Sequence, residues 1–232
     1  MQQEVPLKRG RGRPPKLDSG HLETKEKLLR MGTQVLTEKG FSSTGLDGIL
    51  KEAGIPKGSF YHYFANKKAF GLAVIDNYNA YFCAKLDKWL LNDSRSPLNR
   101  LADFIADAKH GMERYQFKRG CLIGNLGQEL AGVDETFRLP LEQVFLTWQT
   151  RVSRCLEEAQ QQNEIAVHLN CQDLASFFWI GWEGAILRAK LAQSCDPLDL
   201  FADQFFGMIK KNNPIENNRS ENRESNSDYQ RK

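Results

Sequence analysis

The chain reads as an all-α protein, a small N-terminal head of three helices joined to a larger helical body, and three observations predict it. Apolar residues recur at three- and four-residue steps in every long segment. No segment alternates with the two-residue period of a strand. Residues 44–64 carry two short helical patterns separated by a Gly-Ile-Pro turn. A length of 232 residues suffices for a sizeable core and one or two domains.

Residues 1–21 are rich in Pro, Gly and Arg without hydrophobic periodicity, which predicts a flexible basic arm. Its Lys8-Arg9-Gly10-Arg11-Gly12-Arg13-Pro14 run resembles the Arg-Gly-Arg-Pro core of AT-hook segments, where Arg11 and Arg13 would enter a narrow A·T minor groove. The alternative is a nonspecific basic tail. Helical periodicity begins near Leu22, with Leu28, Leu29, Val35 and Leu36 on one face and Gly40 at the end. Thr44 and Asp47 have the S/T-x-x-D/E form of a capping box, so a second helix is expected to start there. Leu46, Ile49, Leu50 and Ala53 form its apolar face and Gly54 stops it. Pro56 suits the first turn of a third helix. On that helix Phe60 and Phe64, an i, i+4 pair, can face a core, while Lys57, Ser59, Tyr61, His62 and Tyr63 lie on the solvated side.

A long helix from Asn66 to about Leu90 is predicted to join head to body, with Phe70, Val74, Tyr78, Tyr81 and Leu86 inward. Ser96-Pro97 is an N-cap and first-turn pair for a helix carrying Leu98, Leu101, Phe104, Ile105 and Ala108. Further helical segments run near Cys121 to Ala131, Asp134 to Gln161 with Pro140 in its first turns, Gln172 to Ala192, and Pro197 to Ile209. Residues 212–232 are Asn-, Ser- and charge-rich and are expected to be disordered. The expected organisation is arm 1–21, head 22–68, body 69–211 and tail 212–232.

The net charge of +3 conceals an asymmetry: residues 1–68 hold 13 Lys/Arg against 7 Asp/Glu, and the remainder 19 against 22. The basic end is the one with the helix-turn-helix, as a protein that displaces counterions from phosphates requires. No run of about 18 apolar residues and no secretory signal is present, so a cytoplasmic location and no membrane partner are expected. Five scattered cysteines without a CxxC fit a reducing compartment, and neither metal-ligand spacing nor a cofactor motif is seen.

The block Gly40-Phe41, Thr44, Ala53-Gly54-Ile55, Lys57-Gly58-Ser59-Phe60-Tyr61-His62-Tyr63-Phe64 and Asn66-Lys67 resembles the N-terminal signature of TetR-type transcriptional regulators. The resemblance implies that Pro56, Lys57, Gly58, Ser59, Tyr61 and Tyr63 meet double-stranded DNA in a major groove, and that Thr44 and Lys67 contact phosphates. Gly45 stands where the family often has a second hydroxyl residue. It further implies a homodimer built on the last two, strongly apolar helices, reading a palindromic operator with half-sites ~34 to 36 Å apart.

Two body blocks combine Gly with polar groups inside apolar helices: Phe117 to Glu129 and Trp179 to Leu191. Such writing suits a small pocket with a few orienting polar groups. With the head, they resemble the TetR subgroup that responds to acrylate and reactive electrophiles, in which a Cys after Gly and a Lys after Ala take part in sensing. The matching residues are Cys121 and Lys190, with Asn125, Trp148, Trp179 and Glu183 as further candidates for the effector site. A thiolate near a cation adds to polarised C=C bonds. The bland alternatives are that Cys121 is a small core residue, that Lys190 is solvated or paired with Glu183, and that the Trp residues are core mass.

An enzyme using Cys121 is disfavoured, because His110 and His168, the only possible bases outside the head and arm, sit in no catalytic motif. A TetR-type regulator of an unrelated ligand and a ligand-independent architectural DNA-binding protein stand as the competing readings.

Overall fold

A computed structural model describes residues 19–211. Arg11, Arg13 and the rest of the expected arm before Ser19, like the expected tail 212–232, lie outside the described residues. Among these there are nine helices: α1 (Ser19–Lys39), α2 (Leu46–Ala53), α3 (Lys57–Phe60), α4 (Lys67–Leu90), α5 (Pro97–Arg114), α6 (Leu122–Leu130), α7 (Glu135–Gln161), α8 (Cys171–Ala192) and α9 (Asp196–Ile209). An isolated antiparallel bridge between Ile165 and Lys210 is the strand-type pairing present among them.

The head is α1 to α3, closed by the start of α4. Leu28, Val35, Leu36, Ile49, Leu50, Phe60 and Phe64 pack on Phe70 and Val74, all buried. The expected capping box does not form. Gly45, in an extended conformation, is the N-cap of α2 and no side chain caps it. Thr44 is instead turned back toward α1, buried, with its hydroxyl donating to the Gly40 carbonyl at 2.7 Å. Asn66 does cap α4, its Oδ1 accepting the Ala69 N–H at 2.8 Å.

α4 leaves the head and becomes the spine of the body. Its inward row advances in steps of four, through Val74, Tyr78, Phe82, Leu86 and Leu90, because side chains one turn apart lie above one another. Tyr81 was expected on that row and lies off it, 62% exposed, because it is one residue short of the i+4 step from Tyr78. Trp148 of α7, Trp179 and Trp182 of α8, Phe104 of α5 and Phe178 form one aromatic core, with Trp148 and Trp179 ring centroids 5.0 Å apart. Such rings bury large areas at a cost of only two torsions each. Pro140 sits inside α7, and the helix continues through it.

Candidate functional site

Two candidate sites lie apart: the exposed surface of the head, and a polar cluster around the buried Cys121 where α4, α6 and α8 meet.

In the head, Gly54 takes a left-handed conformation (φ 63°, ψ 34°) that only glycine adopts without strain. The Ile55 N–H then reaches the Leu50 carbonyl at 3.0 Å and the Gly54 N–H the Lys51 carbonyl at 3.2 Å, a Schellman ending that sets the angle between α2 and α3. The second helix is shorter than the spacing predicts: α3 ends at Phe60, Tyr61 to Tyr63 form a turn, and Phe60 and Phe64 on either side of that turn pack on Phe70 with centroids at 5.5 and 5.0 Å. That anchoring leaves Pro56, Lys57, Gly58, Tyr61 and His62 exposed, with Ser59 and Tyr63 half-buried beside them. Lys57 is steadied across the turn by Asp47 at 2.9 Å. Lys67 is placed differently: its ammonium donates to the Phe41 carbonyl at 2.6 Å and lies 4.2 Å over the Phe41 ring. Desolvation there pulls its pKa below the usual lysine range.

The buried cluster starts at the N-terminus of α6. Cys121 is its N-cap, and its sulfur receives the Gly124 N–H at 3.5 Å and faces that of Ile123. The Leu122 N–H turns to the hydroxyl of Tyr78 on α4. From α8, Glu183 brings its carboxyl against the Cys121 thiol and over Gly124, where a Cβ would collide with Glu183 Oε2. A Cβ at 124 would therefore push the end of the Glu183 side chain out of its place beside the thiol. Glu183 Oε1 and the Trp179 indole N–H, one turn apart on α8, are buried without a hydrogen-bond partner. Burial and the nearby Glu183 carboxyl push the Cys121 thiol well above its ordinary pKa. Burial raises Glu183 to about 7. The resting cysteine is thus a protonated thiol, opposite to the depressed value that a neighbouring cation would give.

Of the other effector-site candidates, Lys190 runs its aliphatic stem over Gly120, Cδ being 3.0 Å from where a Cβ there would lie. Among the described residues its ammonium has no hydrogen-bond or ion-pair partner, so it is not the partner of Glu183. Asn125 points away from the cluster and donates to the Thr37 carbonyl of α1 at 3.0 Å. Trp148 is fully buried, with its N–H on Asn79 Oδ1 at 2.9 Å.

The same short helix ties body to head. Ahead of it Arg119 pairs with Glu38 at 2.6 Å, in its middle Asn125 holds Thr37, and at its end Glu129 accepts the Phe41 and Ser42 N–H groups at 2.8 and 2.5 Å. Glu129 is thereby held below the usual carboxyl range, despite its partial burial. Tyr78 and Glu129 were missed by sequence reasoning. Neither belongs to a local motif, and their partners are distant in the chain.

A solvated helix presenting Lys, Ser and Tyr from a helix-turn-helix, on an all-helical protein, defines a DNA-binding transcriptional regulator. Residues 28–74 match the family "Bacterial regulatory proteins, tetR family", and residues 97–205 match "Tetracyclin repressor-like, C-terminal domain". The chain is 50% identical over 201 residues to the transcriptional regulator AcuR of Cereibacter sphaeroides, covering 87% of this chain and 91% of that one. It is 33% identical over 182 residues to the transcriptional repressor DhaR of Mycobacterium sp., covering 78% and 90%. A crystal structure of a regulatory protein TetR from Rhodobacter sphaeroides superposes with a TM-score of 0.78 at 49% identity, over 80% of this chain and 98% of that one. The reduced form of Escherichia coli NemR superposes with a TM-score of 0.73 at 28% identity, over 82% and 98%. The chain belongs to the TetR family of transcriptional regulators, a family of DNA-binding proteins rather than enzymes. Among the described residues no helix is long and apolar enough to cross a membrane.

Proposed function

We propose that the protein is a cytoplasmic, homodimeric repressor that a small effector such as acrylate or a reactive electrophile releases from a palindromic operator. Its head, residues 22–68, reads DNA through Pro56 to Tyr63, with Thr44 and Lys67 near phosphates. Its body, residues 69–211, holds the effector among Cys121, Trp148, Trp179, Glu183 and Lys190, with Asn125 on the head side of the same helix. The observation that carries this reading is the position of α6. A nine-residue helix, roughly 13 Å long, begins at the buried thiol and ends on the backbone of the head. Whatever occupies the cluster displaces the N-terminus of α6, and Glu129 and Asn125 carry that displacement to α1 and the turn before α2. Ligand shifts the equilibrium only through its different affinity for the two head placements.

Dimerisation is supported by an unpartnered apolar row on α8. Phe177, Ile180, Leu187 and Leu191, spaced with Gly184 at alternating three- and four-residue steps, are exposed, Ile180 at 70% and Leu191 at 71%. A single copy leaves this row in water, and a second copy of α8 and α9 covers it by two-fold symmetry.

Footprinting on DNA flanking its own gene tests the reading. The wild-type protein should protect a palindrome, lose it with millimolar acrylate or an unsaturated ketone, and sediment as a dimer. The Cys121→Ser protein should protect the same palindrome and resist the ketone. Protection unaffected by both compounds would leave a regulator of another ligand, and protection without sequence preference would leave an architectural protein.

A further inference from the structure

The sequence presents Cys121 and Lys190 as the reactive pair, yet the structure puts a carboxyl, not an ammonium, against the thiol. All five cysteines are free, and Cys121 differs from the other four in its surroundings. Cys155 donates to the Pro97 carbonyl, Cys83 to Asn79 and Cys171 to Gln160, and half-buried Cys195 lies near Glu113. Only Cys121, among the described residues, caps a helix of full length with the N–H groups of that helix aimed at its sulfur. Those groups and the positive end of α6 stabilise a thiolate once one forms. What the buried thiol otherwise needs is a neighbouring acceptor for its proton.

Glu183 supplies that acceptor. One carboxyl oxygen lies over Gly124 beside the thiol, and the other is buried with no partner. That second oxygen is free to hold the proton while the first stays against the thiol. We propose that Glu183 is the proton acceptor and donor through which Cys121 adds to α,β-unsaturated carbonyl compounds. This rests on the reading of the cluster as the effector site. In the forward step the thiol proton moves to Glu183, the sulfur lone pair forms the S–C bond at the β-carbon, and the C=C π pair moves to the α-carbon as an enolate. Glu183 then returns its proton to the α-carbon. The net change is addition of S–H across C=C, with no oxidant or reductant consumed. The unpaired Trp179 N–H, one turn along the same helix, is the available donor for the carbonyl oxygen on which negative charge develops.

The charged and titratable groups around the pair are few. α4 brings Tyr78 and, farther out, Tyr81; α8 brings Glu183 and Lys190; the segment before α6 brings Arg119, paired with Glu38, while Lys118 is exposed and turned to Gln116. Glu183 is the acid among them that titrates near neutrality.

The experiment is alkylation of the full-length protein by but-3-en-2-one, with Cys121 followed by peptide mass spectrometry from pH 5.5 to 9.5. In the wild-type protein the rate at Cys121 should rise through pH 7, the midpoint of Glu183 ionisation, and level off about one pH unit above it. In Glu183→Gln, which keeps the shape and removes the base, the rate at pH 7.5 should fall by about 100-fold, the range of a lost general base. It should then climb about tenfold per pH unit without levelling, as direct ionisation of a buried thiol requires. Glu183→Asp should recover part of the rate and restore the plateau. Cooperative thermal melts establish that each variant is folded. A Glu183→Gln protein with the wild-type rate and pH profile would overturn the assignment, and so would a wild-type Cys121 that is never alkylated. Operator release is scored separately. Alkylation with the expected profile but without release removes the sensor reading and keeps the proton transfer.

Discussion

The head and the body place their polar groups in opposite settings. The head holds Lys57 of α3, and Tyr61 and His62 of the turn after it, exposed beside two phenylalanines packed on Phe70, so each of these polar groups is solvated. The body buries Cys121 and sets half-buried Glu183 and Tyr78 against it, where each polar atom alters the ionisation of its neighbours. The difference teaches that the two sites respond to different variables. Charges on the surface are screened by salt, and those of the buried cluster are governed by burial and by one another.

That contrast is broken most sharply by truncating the core. Trp148→Ala removes a fully buried ring that contacts Tyr78, Phe82, Phe145 and Trp179. It should cost about 3–5 kcal/mol in denaturant melts. A loss below about 1 kcal/mol would mean that the aromatic cluster is not the body's core.

The next effect is a pH dependence. Folding raises the Glu183 carboxyl from its ordinary 4.5 to about 7, so the native state binds the proton more tightly than the unfolded chain. Stability must therefore fall as pH rises from about 4.5 to 7 and change no further from this group above that. The loss is on the order of 3 kcal/mol. Glu129, Asp134 and Asp107, held below their usual range, act with the opposite sign and at lower pH. Urea melts of wild type and Glu183→Gln between pH 5 and 8 isolate the effect: only the wild type should weaken across that window. Parallel curves would show that Glu183 is not buried in solution.

Tyr61→Ala, at a residue 53% exposed, should leave the melt within about 0.5 kcal/mol. It should weaken operator binding by about 1–3 kcal/mol in gel shifts. Lys57→Ala should relax base preference. An unchanged gel shift for both would move the DNA contact elsewhere on the head.

The smallest effect sharpens how the two regions communicate. Glu129→Gln keeps a carbonyl acceptor but removes the charge that faces the Phe41 and Ser42 N–H groups, at a cost of about 1 kcal/mol in stability. Its larger signature should be functional: the effector concentration that half-releases the operator should shift, while the effector's alkylation rate at Cys121 stays as in wild type. A shift in neither would remove α6 as the route between cluster and head.

How legible each site was follows from where its parts lie. The helix order, the αL stop at Gly54, the Phe60 and Phe64 anchors and the exposed row beside them could all be read from spacing, since they sit within one stretch of local chain. The Thr44 capping box does not form because its hydroxyl donates back to the Gly40 carbonyl instead of accepting a backbone N–H of α2, a choice that local pattern does not reveal. Tyr81 failed because a steady i+4 row and an i+3 row look alike until the packing surface is known.

By itself the sequence determined the all-α class, the helix-turn-helix and the charge bias, because periodicity, glycine stops and net charge act over a few residues or over composition. Only tertiary structure decided that Cys121 meets Glu183 and Tyr78 rather than the Lys190 ammonium, that Asn125 serves the head, and that Glu129 holds the turn before α2. Ionisation in a buried cluster depends on which groups arrive from α4, α6 and α8 and on how completely they exclude water, and neither is a property of any one segment.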